Sequence, residues 1–307
     1  MRGVWRTFRT AIWEWNEDKA PRMAAALAFY TLFALTPIVV ITLAVAGLVF
    51  DREQALRGVL GEVGRLIGPQ GVEAIELLLK NPPREQASWL ATIAGVATLL
   101  LGSTGVFVEL KDALNTVWEV EPRPGLGLWQ MARDRLLSFA MVLVIGFLLL
   151  VSLVTSAGLA IATQAMPRYL PVPGGVLELA NLVISFAVVT VLFALIYKVL
   201  PDAQVVWRDV WLGAGVTAIL FALGKTLFGW YLGHSSIGSS YGAAGSLVIV
   251  VLWTYYSALI LLFGAELSHA VAAHRGRADI PGDKAVHVSE HARQQQGIPH
   301  GSPPPEA

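Results

Sequence analysis

Two short stretches carry residue types at spacings associated with catalysis. His287-Val288-Ser289-Glu290-His291 spells the H-x-x-E-H of a zinc peptidase, a chemistry that needs both imidazoles on one face of a rigid helix, a third ligand and a closed pocket. From about Gly276 the chain is rich in Pro, Gln, His and Gly, a composition that buries too little to order itself. The pattern therefore reads as a chance match within a disordered tail, 276–307, and no metal is expected there. Gly224-Lys225-Thr226 ends like a nucleotide-binding P-loop, but Ile219 stands where that loop needs its first glycine, and the surroundings are an apolar run. Phosphate cradling is excluded. What remains is a lysine in an apolar segment.

Composition explains the setting. Hydrophobic residues make up 55% of the 307, charged ones 14%, and the mean hydropathy is +0.61, more apolar surface than a soluble core can hide. Twenty-two basic and 22 acidic side chains cancel, so no overall field gathers nucleic acid or an anionic substrate. The absence of cysteine removes thiolate catalysis and Cys-based metal sites.

Six apolar stretches reach the roughly 20 residues that cross a bilayer as a helix. They lie near 26–50, 89–108, 136–161, 177–198, 209–232 and 243–267. The expected fold is all-α: a polytopic membrane protein of six transmembrane helices over 26–275, preceded by an interfacial helix within 1–25. The run from Met23 to Phe50 is too long for a signal peptide, and Pro37 predicts a kink or local break in it. Outside the spans, fifteen Lys and Arg fall on one side and six on the other, which puts both termini in the cytoplasm.

Val4, Phe8, Ile12 and Trp15 recur at helical spacing while Arg2, Arg6 and Arg9 take other faces, the pattern of an amphipathic helix lying in the interface. Between the first two spans, Leu56, Val59, Leu60, Val63, Leu66 and Ile67 form one apolar stripe. Gly68-Pro69-Gln70-Gly71 interrupts it, and Val72, Ile75, Leu78 and Leu79 begin another. The 51–88 loop is thus expected to be an outer helical hairpin, covering the bundle or docking an envelope protein partner.

Lys225 lies about 10 Å inside the outer end of a span that finishes near Leu232. Ala214, Ala218 and Ala222 share its stripe, a small-residue row that permits close helix approach. Two readings stand side by side: pairing with Glu178, Asn181 or Tyr241 beneath an outer vestibule, or snorkelling to the headgroups. Toward the opposite ends of the spans, Glu109, Asp112, Asn115, Asp202, Asp209 and Glu266 collect. Such a group binds a cation or headgroup, or satisfies loops and helix ends. Trp253, Tyr255 and Tyr256 stand at mid-depth, where tyrosine hydroxyls need partners or water and point to an interior cavity.

The run Ser240 to Leu267, SSYGAAGSLVIVVLWTYYSALILLFGAEL, resembles the C-terminal signature of the YihY/virulence factor BrkB family, bacterial inner-membrane proteins once labelled ribonuclease BN. Residues 24–33 (AAALAFYTLF), 112–118 (DALNTVW), Leu200-Pro201-Asp202 and 207–211 (WRDVW) match it in order. The resemblance implies a six-helix inner-membrane protein with cytoplasmic termini, in agreement with the charge count, and little mechanism. Transport or lipid handling is the leading expectation, with membrane lipids as partners; a non-catalytic scaffold for envelope assembly is the alternative. No enzyme, cofactor or nucleic-acid partner is expected, because the sequence shows no ordered constellation for metal-assisted phosphodiester attack and no basic groove with interleaved aromatics.

Overall fold

The computed structural model describes residues 2–46, scattered positions between 51 and 72, 105–123, 174–234, 245–277, 280–282 and 285–297. Two of the six expected spans, 89–108 up to residue 104 and all of 136–161, lie outside the described residues, as does most of the outer hairpin. Its described positions from 53 to 61 are helical and include an Arg57–Glu53 pair at 3.2 Å.

Helix α1 (Arg2–Glu17) is amphipathic as its spacing predicts. Part of its apolar face is spent on protein. Phe8 meets Phe263, Ala11 is fully buried with Leu267 and Ala270, and the Trp15 indole donates to the Leu259 carbonyl at 3.3 Å. Trp5 and Ile12 remain exposed. A turn at Asp18 and Lys19 leads into α2 (Ala20–Ala46), where Pro21 in the first turn gives up an N–H that has no helical partner anyway. The helix is continuous through Pro37, so of the kink or local break expected there the break is absent.

Residues 105–117 form α3, followed by a short strand β1 (Val120–Pro122). Helices α4 (Gly174–Val199), α5 (Trp207–His234) and α6 (Gly245–His274) are apolar on every side, the character of helices whose outer faces meet lipid. All three are long and apolar enough to cross a membrane. Exposed Leu182 and Val183 on α4 and Leu223 and Leu227 on α5 fit acyl-chain contact.

Helix α6 is the hub, packing on α1, α2 and α5, while α4 packs on α5. Helices α5 and α6 approach closely at Gly213 and Gly264, where a Cβ on either would meet the other's carbonyl oxygen. Small residues at the crossing let backbones touch, the usual source of helix affinity in lipid. Beside it the Tyr197 hydroxyl from α4 sits 2.8 Å from Thr217 Oγ1 and donates to the Leu261 carbonyl at 2.8 Å, and Thr217 bonds the Gly213 carbonyl at 2.9 Å. Three helices thus share one buried polar node. The Tyr256 hydroxyl donates to the Leu220 carbonyl at 2.9 Å, so a backbone oxygen supplies the partner for which a cavity was expected.

The expected disordered tail is ordered over much of its length. Strand β2 (Ala285–His287) pairs antiparallel with β1, Val120 opposite His287. Helix α7 (Glu290–Gln296) follows, with Ser289 as N-cap accepting from the Ala292 N–H and Gly297 closing it in the left-handed region. Further upstream, Gln204 donates to the Ile280 carbonyl and Gly282 to the Asp202 carbonyl. Edge pairing and capping, which composition does not report, provide the order that burial alone does not.

Candidate functional site

The C-terminal third of α6 carries Glu266 and His269, three apart and so on one face. Both are buried, Glu266 completely. Helix α1 crosses this face and brings in Glu14, whose Oε2 lies 3.4 Å from His269 Nδ1. One ligand atom from each of Glu14, Glu266 and His269 lies within 4.8 Å of the others. The His269 ring stands edge-on to Trp118, centroids 5.4 Å apart.

Among the described residues, neither oxygen of Glu266 has a hydrogen-bond partner, and the buried Trp118 indole N–H also lacks one. A buried polar group without a partner costs free energy, and a carboxylate costs most. The rim of the cluster is better satisfied. Arg293 from α7, itself buried, meets Asp18 at 3.2 Å and Glu119 at 2.8 Å. Burial pushes the Asp18 carboxyl up to about 7 against the downward pull of Arg293, with Glu119 adding to the rise. Lys19 and Glu119, next to and within this group, adopt positive φ of 54° and 51°, a conformation non-glycine residues rarely take. The Lys19 ammonium donates to the Gly297 carbonyl, fastening the end of α7 to the α1–α2 turn.

The acids predicted to collect at one end divide into separate groups. Asn115 and Asp202 hold each other through two hydrogen bonds, Asn115 Nδ2 to Asp202 Oδ2 at 3.1 Å and the Asp202 N–H to Asn115 Oδ1 at 2.8 Å. Lys111 adds an ion pair to Asp202 at 3.0 Å. Glu109 and Asp112 stand on the same helix, α3, with Asp112 exposed. Asp209, almost fully buried at the start of α5, is clamped by Arg275 at 2.5 Å and Arg277 at 3.1 Å. Glu266 belongs with Glu14 and His269 instead. Glu14 and His269 are residues that the sequence reading did not place with Glu266.

At the other end of α5, Lys225 is exposed, while Ala214 and Ala218 of its expected stripe are buried and Ala222 is not. Glu178 and Asn181 belong to α4, but their side chains, and the whole of Tyr241, lie outside the described residues. Gly224 is buried because the Tyr256 ring lies where its side chain would be. His287 belongs to β2 and Glu290 opens α7, so the two histidines of the H-x-x-E-H pattern do not share a helix. Five members of the buried cluster escaped the sequence reading: Glu14, Asp18, Glu119, His269 and Arg293. The Glu266-x-x-His269 spacing was the one local signal available. Glu14 and His269 are 255 positions apart, and only the fold unites them.

Three apolar helices of spanning length, one of them carrying the buried Glu266 and His269, define an α-helical membrane protein. The chain belongs to the Virulence factor BrkB family, which it matches over residues 11–288. It is 34% identical over 260 residues to a UPF0761 membrane protein of Pseudomonas paraeruginosa, covering 81% of this chain and 59% of the relative. A UPF0761 membrane protein of Ralstonia nicotianae is 29% identical over 262 residues, 85% of this chain and 57% of the relative. One of Neisseria meningitidis serogroup C is 29% identical over 267 residues, 86% and 62%. The chain thus spans about three fifths of the length of the curated relatives it matches. No solved structure matches.

Proposed function

We propose that this chain is a multi-pass protein of the bacterial inner membrane that transports a solute or handles lipid, with both termini cytoplasmic. One observation carries the reading: Glu266 is fully buried inside a helix of membrane-spanning character, and among the described residues its carboxylate oxygens have no hydrogen-bond partner. A scaffold gains nothing from such a group, since apolar residues of the same volume would be neutral or stabilising there. Ionisable side chains within spans mark transport pathways and proton or ion relays. The cluster stands beside the termini, on the side assigned to the cytoplasm by the Lys and Arg count. The reading includes no enzymatic step and no nucleic acid.

The test is the lipid composition of the two leaflets in cells lacking the protein, complemented with the wild type or with Glu266→Gln. Support requires a shifted distribution on deletion, restored by the wild type and not by Glu266→Gln at equal membrane abundance. Unchanged leaflets together with unchanged solute uptake across all three strains would overturn it.

A further inference from the structure

We propose that Glu14, Glu266 and His269 bind one divalent first-row transition-metal ion, tying α1 to α6. The donor set is two carboxylates and one imidazole, contributed by two helices that cross at this point. The Nδ1 to Oε2 distance of 3.4 Å between His269 and Glu14 already matches two ligands of one ion. Bonds of about 2.0 to 2.1 Å at a tetrahedral angle place neighbouring donors roughly 3.4 Å apart. The three donor atoms all lie within 4.8 Å of one another, a spacing that side-chain torsions of a few tens of degrees bring to that of ligands on one ion.

A second observation is independent of this spacing. Glu266 is 0% exposed, and among the described residues neither of its oxygens has a hydrogen-bond partner, so its desolvation is not offset by any hydrogen bond. A cation between it and Glu14 supplies that partner. The surrounding charge favours the same occupant. Glu14, Asp18, Glu119 and Glu266 bring four carboxylates together, and the Arg293 guanidinium bridges Asp18 and Glu119 without bonding Glu266. Glu14 is the open side, with its side chain 23% exposed against 6% for His269, and gives an ion a way in.

Donor chemistry narrows the ion. Mixed imidazole and carboxylate ligands without sulfur suit Zn²⁺, Mn²⁺, Fe²⁺ or Co²⁺, whereas Mg²⁺ and Ca²⁺ prefer oxygen alone and Cu⁺ prefers sulfur. Three protein ligands leave at least one position for water. The inference does not depend on the transport reading, because binding is measured with no flux, so either can fail alone.

The experiment uses the full-length chain in detergent, stripped with a chelator and titrated with Mn²⁺ and Zn²⁺ by equilibrium dialysis with elemental analysis. One equivalent per chain is expected. Affinity should fall more than tenfold in Glu266→Gln and Glu14→Gln, since even partners outside the ligand set cost that much at metal sites. It should be unchanged in His287→Ala/His291→Ala, which controls for the tail histidines. Bound Mn²⁺ should show nitrogen hyperfine coupling that His269→Ala abolishes. Glu14, on the open side, keeps the test available if Glu266→Gln fails to fold. No binding by the wild type at up to millimolar metal, or binding that survives Glu14→Gln, overturns the proposal.

Discussion

Gly264→Ala tests the packing of the helix crossing most directly. In an uncrowded helix the change stabilises by about 1 kcal/mol. Here the new Cβ would stand 2.5 Å from the Tyr197 hydroxyl and 3.0 Å from the Gly213 carbonyl oxygen, and closer still to Thr217 Oγ1. Ordinary contact begins near 3.4 Å, so the Tyr197 hydroxyl must retreat by about 0.9 Å. Tyr197 is fully buried and held to Leu261 and Thr217 at 2.8 Å each, so either these bonds break or α5 and α6 separate. Overpacking costs about 1 to 3 kcal/mol and each buried group left unbonded a similar amount. The net loss should be about 3 kcal/mol, lowering the melting temperature in detergent by roughly 5 to 10 °C. Gly229→Ala on α5, with nothing within 4 Å of the added methyl, should be neutral or slightly stabilising. A Gly264→Ala protein that melts at or above the wild-type temperature would refute the close-approach argument.

Two further predictions concern the cluster and its cap. Burial raises Asp18 from 3.8 to about 7, so between those values the folded protein holds more protons than the unfolded chain, and its stability falls as pH rises. Melting temperature should decline from pH 5 to 8 and level off above, and Asp18→Asn should flatten that decline; an undiminished slope in the variant would assign it to other groups. Arg293→Ala leaves Asp18 and Glu119 without their shared cation, a loss of about 3 kcal/mol at a buried pair, felt first by β2 and α7. Trypsin should then cut the tail several-fold faster while α4, α5 and α6 remain protected, and equal cleavage in wild type and variant would show that the guanidinium does not hold the tail.

The helices of spanning length were legible because a bilayer imposes a long uninterrupted apolar run, which needs no tertiary information. α4, α5 and α6 fall where such runs fall. Contact partners were less legible. The amphipathic face of α1 was evident, but whether Phe8 and Trp15 would meet lipid or protein depended on where α6 lay. The need of Tyr256 for a partner was evident too, yet its solution was the Leu220 carbonyl, one of many equivalent backbone oxygens. The ordering of the tail was invisible for the opposite reason. Its stability comes from one buried guanidinium, one cap and three strand pairs, which leave no mark on average composition.

The cluster also separates into two layers by its place along the chain. Glu14, Asp18, Glu119, Glu266 and His269 all fall within the stretch 11–288 that matches the family, whereas Arg293 lies beyond its end. The acidic group and its histidine are built by helices α1 and α6 and the turn after α3. The guanidinium is delivered by a short capped helix that enters from outside this framework. A bundle whose stability alone mattered would gain by exchanging both the unpartnered carboxylate and the ion-paired acids at its rim, with their cation, for apolar residues. This chain keeps the first in its interior and covers the second with an ordered tail. The tail therefore acts on the rim acids, Asp18 and Glu119, and leaves Glu266 to whatever occupies the centre. That is why Arg293→Ala should loosen the tail, and why occupancy at the centre should respond to Glu14 and Glu266.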